Sequence, residues 1–411
     1  MNYGCIGEHL THSFSKEIHN LIENYDYILK EINREDLDEF MKSKDFMAIN
    51  VTIPYKEKVI PHIDIISDTA KKIGAVNTIV NKDGVLYGYN TDFLGMKAML
   101  EKNGIDPKGK KALILGTGGT SKTAKAVLES MGAAEILFVS RNATKEAISY
   151  ADAESIHNDA GIIINTTPCG MYPDTEKCPI DIDKFPYLSG VADAIYNPLR
   201  SNFILKAKKR KIKATGGLYM LVAQAVFAAE KFSGKKYDEN IIDNVFKKIL
   251  CQKENIVLTG MPGSGKSTVG KLLEELTGLT FCDTDALIEE KAGMTIPEIF
   301  EKYGESHFRN IESDVIKEVS DKTGLIISTG GGAILRKENI HNLRKNGKIF
   351  FLDRPLKDLI PTSDRPLAKD TDAIKKRYEE RYDIYLSTSD KVIKVVGDAK
   401  EVADEIKRSI N

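Results

Sequence analysis

The sequence contains no tryptophan and only five cysteines in 411 residues. Cys5, Cys169, Cys178, Cys251 and Cys282 are scattered, odd in number and include no CxxC pair, which excludes a disulfide framework and a zinc ribbon and suits a reducing compartment. Net charge is equally scarce. With 59 basic against 60 acidic residues the balance is −1, so the whole-molecule attraction that nucleic acid or an anionic membrane requires is absent. The lysine-rich run Lys206–Lys213 is interrupted by Ala207 and Ile212 and reads as a solvated face. Long apolar runs are missing too: Leu218–Ala229 is 12 residues with Gln224 inside it, against the roughly 18 to 20 that a membrane span needs. Met1–Lys16 carries Glu8, His9 and His12 where an export signal would have a basic segment followed by an apolar one. The expectation is a cytoplasmic protein with neither nucleic acid nor membrane as partner.

What is present suits packed cores. The chain is 42% hydrophobic and 29% charged, ordinary values for a globular protein, and its length at roughly 150 residues per domain implies two or three domains. Two glycine-rich turns organise it: Ala112–Leu115 precedes Gly116-Thr-Gly118-Gly119, and Ile256–Leu258 precedes Gly260-Met-Pro-Gly263-Ser264-Gly265-Lys266-Ser267-Thr268. Each reads as strand, loop, helix. The short apolar runs Glu135–Val139, Gly161–Ile164 and Gly190–Asp193 have the pattern of parallel strands buried on both faces, which predicts a doubly wound sheet over residues 105–216. The first hundred residues alternate strand-like (Ala48–Thr52, Asn77–Val80) and helix-like (Ile18–Glu23, Arg34–Met41) segments and predict a separate small α/β domain. Polar, lysine-rich Lys247–Asn255 predicts a linker, after which residues 255–411 suffice for an independent α/β domain.

The second turn is the stronger chemical signal. Gly260 to Ser267 satisfies GxxxxGK[ST] between a strand and a helix, the context of a phosphate-binding loop. Glycines let successive backbone N–H groups face phosphate oxygens, Lys266 adds a cation, and the Ser267 hydroxyl can ligate Mg²⁺. Asp283-Thr-Asp285 places two carboxylates two residues apart, one able to face a metal and the other a substrate hydroxyl. With Arg309, the triplet Gly330-Gly331-Gly332 and Arg381, residues 255–411 resemble shikimate kinase. The resemblance implies that ATP and Mg²⁺ are cofactors, bound by Gly260, Gly263, Ser264, Gly265, Lys266, Ser267 and Thr268. It implies that Asp283 stands by the metal and that Asp285 is the candidate base. Arg309 and Arg381 would grip the substrate carboxylate, Gly331 and Gly332 offer N–H groups, and Arg365 match a lid arginine. Between Leu352 and Arg365 the chain has Pro355, Pro361 and Thr362 where relatives usually carry a longer helix with another arginine. A small-metabolite kinase of gluconate or nucleotide type is the alternative for this half.

The first turn has GxG but Ser121 where a third glycine would stand, so alone it does not distinguish a dinucleotide site from a plain connection. Downstream, Glu135–Val139 ends in Ser140-Arg141-Asn142, where an NAD site normally supplies a carboxylate to the ribose; an arginine there suits a 2′-phosphate and favours NADPH. Further motifs are His12-Ser13-Phe-Ser15, Asn50-Val-Thr52-Ile-Pro-Tyr-Lys56, Gly74-Ala-Val-Asn77, Gly88-Tyr-Asn90-Thr-Asp92, Asp193-Ala-Ile-Tyr196 and Gly217-Leu-Tyr-Met220 with Gln224. Together they resemble shikimate dehydrogenase over residues 1 to about 250. That resemblance implies a substrate part (1–104 with 217–250) and a Rossmann-like NADP part (105–216). Lys56 and Asp92 become the catalytic pair, and Ser13, Ser15, Thr52, Asn77, Tyr196 and Gln224 surround the substrate. Gly116, Gly118, Gly119, Ser140, Arg141, Asn142 and Gly217 would contact NADPH/NADP⁺. Relatives usually have proline where this chain has Lys16.

The two resemblances imply one α/β chain with a Rossmann-like dehydrogenase followed by a P-loop, nucleoside-monophosphate-kinase-like domain. It would reduce 3-dehydroshikimate to shikimate and then phosphorylate shikimate. Alternatives are an NAD-dependent quinate/shikimate dehydrogenase in the first half, or a regulator that senses shikimate with its catalysis lost.

Overall fold

The computed structural model describes residues 1–10, 14–359 and 371–410. The chain divides into two compact units, Met1–Ile249 and Leu250–Asn411. The division falls inside the helix Ile241–Lys253, so most of the stretch expected as a linker is helical. Val245 and Ile249, four residues apart, are buried, and that spacing gives the helix one apolar stripe which the polar lysines of the segment hide from a compositional reading.

The first unit contains two sheets. Strands β1 (Tyr3–Gly7), β2 (Tyr27–Glu31), β3 (Ala48–Val51), β4 (Ile65–Ile66), β5 (Thr78–Lys82) and β6 (Val85–Tyr89) form a mixed sheet in the order β2-β1-β3-β5-β6-β4. The hairpin β5–β6 turns at Asp83-Gly84, both at positive φ (51° and 86°), the backbone a two-residue hairpin of matching twist needs.

Strands β7 (Lys111–Leu115), β8 (Glu135–Ser140), β9 (Ala147–Ser149), β10 (Ile162–Asn165), β11 (Gly190–Asp193) and β12 (Lys213–Thr215) form a wholly parallel sheet, ordered β12-β11-β10-β7-β8-β9. β10 and β11 are buried at every position, which is why their sequences are nearly unbroken apolar runs. The winding reverses at β7, which pairs with β8 on one side and β10 on the other. That is the Rossmann-like arrangement expected, with its ligand crevice outside the carboxyl ends of the strands at the reversal. The helices Thr91–Lys102 and Leu218–Ser233 pack against each other so tightly that a Cβ at Gly95 would stand 2.7 Å from the Met220 carbonyl oxygen and 3.0 Å from the Gln224 nitrogen.

The second unit holds one parallel sheet of β13 (Asn255–Thr259), β14 (Thr280–Asp283), β15 (Leu325–Ser328), β16 (Gly347–Asp353) and β17 (Lys391–Lys394) in the order β14-β15-β13-β16-β17. β13 is central and fully buried, so the glycine loop leaves from the middle of the sheet. The long helix Ile296–Ser320 is broken at Gly304 (φ 81°) and starts with a Thr295/Glu298 capping box, which satisfies its first orphan donors reciprocally.

Candidate active sites

In the first unit, Lys56 Nζ donates to Asp92 Oδ2 at 2.6 Å. Lys56 follows the end of β3, while Asp92 stands in the first turn of the helix Thr91–Lys102, whose cap Asn90 accepts from Phe93 N at 3.1 Å. The side chains are only 16% and 8% exposed, so the pair is short, partly desolvated and open on one edge. Asn77 fixes the same helix start, accepting from Thr91 N at 2.7 Å, and its Nδ2 donates to Gln224 Oε1 at 3.3 Å. Lys56, Asp92, Asn77 and Gln224 are thereby linked through one helix start. Thr52 N donates to Ile6 O at 2.9 Å, fixing the turn that leads to Lys56. Tyr196 packs on Phe14 with ring centroids 5.2 Å apart; burial pushes its hydroxyl up to about 12, keeping it a neutral donor. Ser15 is buried at the start of the helix Ser15–Ile22, and Lys16 beside it is exposed.

The glycine turn leaves β7 with Gly116 at φ 107°, where a Cβ would stand 3.0 Å from Thr166 Oγ1. Gly118 and Gly119 have no atom within 4 Å of a would-be Cβ, so the start of the helix Gly119–Ser130 is open to a ligand. Beside it lies a cleft of about 650 Å³ whose walls include Thr117, Ser121, Lys122, Lys125, Ser140 and Asn142. Arg141, between the last two, is exposed. Gly217 caps the helix Leu218–Ser233 and presses on the Ala194 carbonyl, leaving no room for a side chain.

In the second unit, Gly260, Gly263 and Gly265 all have positive φ (149°, 82° and 94°), a backbone that side chains resist. Buried Lys266 reaches back over the loop, Nζ donating to Gly260 O at 2.9 Å and Met261 O at 3.0 Å. Ser267 Oγ donates to Asp283 Oδ2 at 2.7 Å, and Asp283 caps the next helix by accepting from Asp285 N at 3.0 Å. Asp285 stands against the glycine triplet, where a Cβ at Gly330 would lie 2.7 Å from Asp285 Oδ1 and 2.9 Å from Glu312 Oε1. Arg309 and Arg381 are buried. Arg309 Nη1 donates to Glu312 Oε2 at 2.8 Å, and Arg381 Nη1 donates to Gly331 O at 3.0 Å. Burial, and then the nearby Arg309 charge among smaller effects, pulls the Arg381 guanidinium below its ordinary value. Its Nε is buried with no hydrogen-bond partner among the described residues. A Cβ at Gly332 would overlap the Arg309 guanidinium.

A family model described as shikimate dehydrogenase substrate binding domain matches residues 5–79, and one described as shikimate kinase matches residues 262–411. A relative named shikimate dehydrogenase (NADP(+)), from Clostridium perfringens strain SM101, is 40% identical over 268 residues, 61% of this chain and 98% of that protein. The chain belongs to the shikimate dehydrogenase family. A crystal structure of shikimate dehydrogenase 1 from Peptoclostridium difficile matches with a TM-score of 0.56 and 36% identity, covering 61% of this chain and 98% of that one. One of shikimate 5-dehydrogenase from Thermus thermophilus, in complex with NADP(H) and shikimate, matches with a TM-score of 0.55 and 28% identity over 60% and 99%. With its shikimate kinase domain, the chain is a bifunctional shikimate-pathway enzyme, an NADP-dependent oxidoreductase and an ATP-dependent kinase. Among the described residues no helix is long and apolar enough to cross a membrane.

Two expected substrate residues, Ser13 of the dehydrogenase and Arg365 of the kinase, lie outside the described residues. Several neighbours of the sites are not announced by the motifs. In the dehydrogenase, Tyr27 Oη donates to Asn50 Oδ1 at 2.7 Å and Asn50 Nδ2 to Thr78 Oγ1 at 3.2 Å, a buried polar row across β2, β3 and β5 in which only Asn50 belongs to a sequence motif. Burial pushes the Cys5 thiol up to about 12, opposed by Lys56 and assisted by Asp92, so Cys5 stays a neutral wall near the pair. In the kinase, Tyr385 Oη donates to Gly331 O at 2.5 Å, and burial raises the Glu312 carboxyl although Arg309 opposes it. Glu312 has a sequence signal, since it follows Arg309 by three residues on a helix and i,i+3 partners share a face.

Proposed function

We propose that the first unit reduces 3-dehydroshikimate to shikimate and that the second phosphorylates shikimate at its 3-hydroxyl, both in the cytoplasm. The observation that carries the reading is the 2.6 Å contact between Lys56 Nζ and Asp92 Oδ2. A ketone receiving hydride becomes an alkoxide, and a lysine ammonium held by a carboxylate can protonate it in place. NADPH in the cleft beside Gly116–Gly119 would supply the hydride, and Arg141 supports the 2′-phosphorylated form. Asn77, Gln224, Thr52, Ser15 and Tyr196 offer neutral donors and acceptors to the substrate's hydroxyl and carboxylate groups. Asp92 keeps the ammonium oriented toward the reacting oxygen.

In the kinase unit the open glycine loop fits a polyphosphate, and the Ser267 hydroxyl and Asp283 carboxylate, 2.7 Å apart, are oxygen donors suited to Mg²⁺. ATP with Mg²⁺ there would supply the phosphoryl group. Asp285 accepts the proton of the substrate hydroxyl, and Lys266 neutralises charge on the loop. Arg309 and Arg381 are buried and feel each other's charge, and Arg381 keeps an unpartnered Nε; a substrate carboxylate between them would reconcile the two cations. Domain roles follow: residues 1–104 with 217–250 bind the dehydrogenase substrate, 105–216 bind NADP, and 255–411 form the kinase.

The test is separation by single substitutions. Lys56→Ala should abolish NADPH oxidation and leave ATP-dependent phosphorylation of shikimate within about twofold, while Lys266→Ala does the reverse. Loss of both activities from either folded variant would contradict two independent sites.

A further inference from the structure

We infer that Arg354 binds the phosphate chain of the nucleotide on the kinase glycine loop; the inference rests on the reading of the second unit as an ATP-dependent kinase. Arg354 directly follows β16, at the carboxyl edge of the strand beside β13. Its guanidinium reaches the loop: a Cβ at Gly265 would stand 3.9 Å from Arg354 Nη1. Gly265 is the residue before Lys266 and caps the helix Lys266–Thr277, so the guanidinium lies at the rim of the backbone cradle itself.

Two acids at carboxyl ends of the same sheet are engaged by other groups. The adjacent carboxylate, Asp353, is buried and engaged by Lys394 Nζ at 2.5 Å and Tyr382 Oη at 3.2 Å. The acid at the loop, Asp283, takes the Ser267 hydroxyl. Arg354 Nε is buried without a hydrogen-bond partner among the described residues. A buried donor left unmade costs roughly 1–3 kcal/mol, and native structures rarely keep one without a reason. A rigid, planar cation with a donor to spare beside an anion cradle has the geometry to grip phosphate oxygens bidentately. Lys266 is occupied with the loop carbonyls Gly260 O and Met261 O, so Arg354 adds a second cation at Gly265.

The experiment measures dissociation constants of ADP and of inorganic tripolyphosphate for the full chain by calorimetry, with kinase KM values for ATP and shikimate, in the parent, Arg354→Gln and Arg354→Lys. The expectation for R354Q is weakening of both ADP and tripolyphosphate by about ten- to hundredfold, the loss that a charge-assisted hydrogen bond carries. The KM for ATP should rise in step and the KM for shikimate stay within about twofold. R354K, which keeps a charge, should recover part of the affinity. Equal ADP affinity in parent and R354Q would overturn the inference alone; weaker ADP with unchanged tripolyphosphate would also overturn it, assigning the side chain to the base. If R354Q lowered thermal stability and shikimate affinity together, R354K decides: nucleotide affinity near the parent's supports the inference, and affinity as low as R354Q overturns it. A parent chain that bound neither ADP nor tripolyphosphate would overturn the kinase reading itself and this inference with it.

Discussion

Lys56 and Asp92 are 36 residues apart in sequence and 2.6 Å apart in space, one just beyond the end of a strand and the other in the first turn of a helix. The helix start is fixed by Asn77 and Asn90, so the carboxylate has little freedom to leave the ammonium. Asp92→Asn keeps the shape and removes the charge. It should lower kcat of the dehydrogenase by about 10²-fold or more, the usual size of a general acid–base contribution, with the kinase rate unchanged. Steady-state rates of NADPH oxidation check this, and a kcat close to the parent's would remove Asp92 from the mechanism.

The Arg309–Glu312 pair sets a stability prediction in the kinase unit. Glu312 is fully buried and Arg309 nearly so; breaking such a pair costs up to about 3–5 kcal/mol, an upper bound here because Arg309 keeps a second, more exposed partner in Glu305 at 3.1 Å. Glu312→Ala should therefore lower the urea midpoint of the second unit's transition and raise the KM for shikimate, because Arg309 Nη1 loses its acceptor while Nε and Nη2 stay on Glu305. Glu312→Gln, which still accepts from Arg309, should cost less on both measures.

Two buried groups of the dehydrogenase unit pull the pH dependence of stability in opposite directions. His19 has Nδ1 2.5 Å from Tyr25 Oη and stacks on Tyr27 at 4.0 Å; burial lowers it from 6.5 to about 3. Below pH 6.5 the unfolded chain takes up a proton that the folded chain refuses, so stability falls with pH on this account. Asp193, accepting from Ser201 Oγ, Ile195 N and Asn165 Nδ2, is raised by burial from 3.8 to about 7. It favours the fold below its unfolded value and loses that contribution as pH rises towards 7. From 3.8 up to 6.5 the two oppose each other. Relative to the parent, Asp193→Asn should steepen the acid loss and His19→Gln should flatten or reverse it, each by up to about 1.4 kcal/mol per pH unit. Urea midpoints across that pH range read the slopes, and parallel curves for all three proteins would contradict the assignment.

Gly95 allows the helices Thr91–Lys102 and Leu218–Ser233 to touch. Alanine has the better helix propensity by about 1 kcal/mol, but its Cβ would meet the Met220 carbonyl at 2.7 Å, and backbone at that distance cannot step aside. Gly95→Ala should therefore destabilise the dehydrogenase unit by about 1–3 kcal/mol, as overpacking does, and raise the KM for its substrate through displacement of Gln224. Thermal unfolding with dehydrogenase kinetics checks both effects.

The second glycine turn is legible in the sequence because a phosphate cradle demands residue types locally: Gly260, Gly263 and Gly265 with positive φ cannot be replaced by other residues at no cost. The buried parallel strands are legible for a similar reason, since β10 and β11 are apolar at nearly every position. What escapes the sequence depends on partners that folding brings together. Tyr27 and Asn50 meet across strands, and Tyr385 meets Gly331 from 54 residues away; no spacing rule announces either. The helix Ile241–Lys253 reads as a linker in part because its lysines mask the two buried positions that hold it. The Asp83-Gly84 turn, by contrast, is a local hairpin signal open to a closer reading.

That one chain carries two consecutive activities is decided by giving the purified protein 3-dehydroshikimate, NADPH, ATP and Mg²⁺, following NADPH absorbance and identifying products by mass. The expected outcome is NADPH oxidation with shikimate as product when ATP is omitted and shikimate 3-phosphate when ATP is present. Binding of shikimate with no turnover of either nucleotide would refute two working enzymes and leave a sensor of that metabolite.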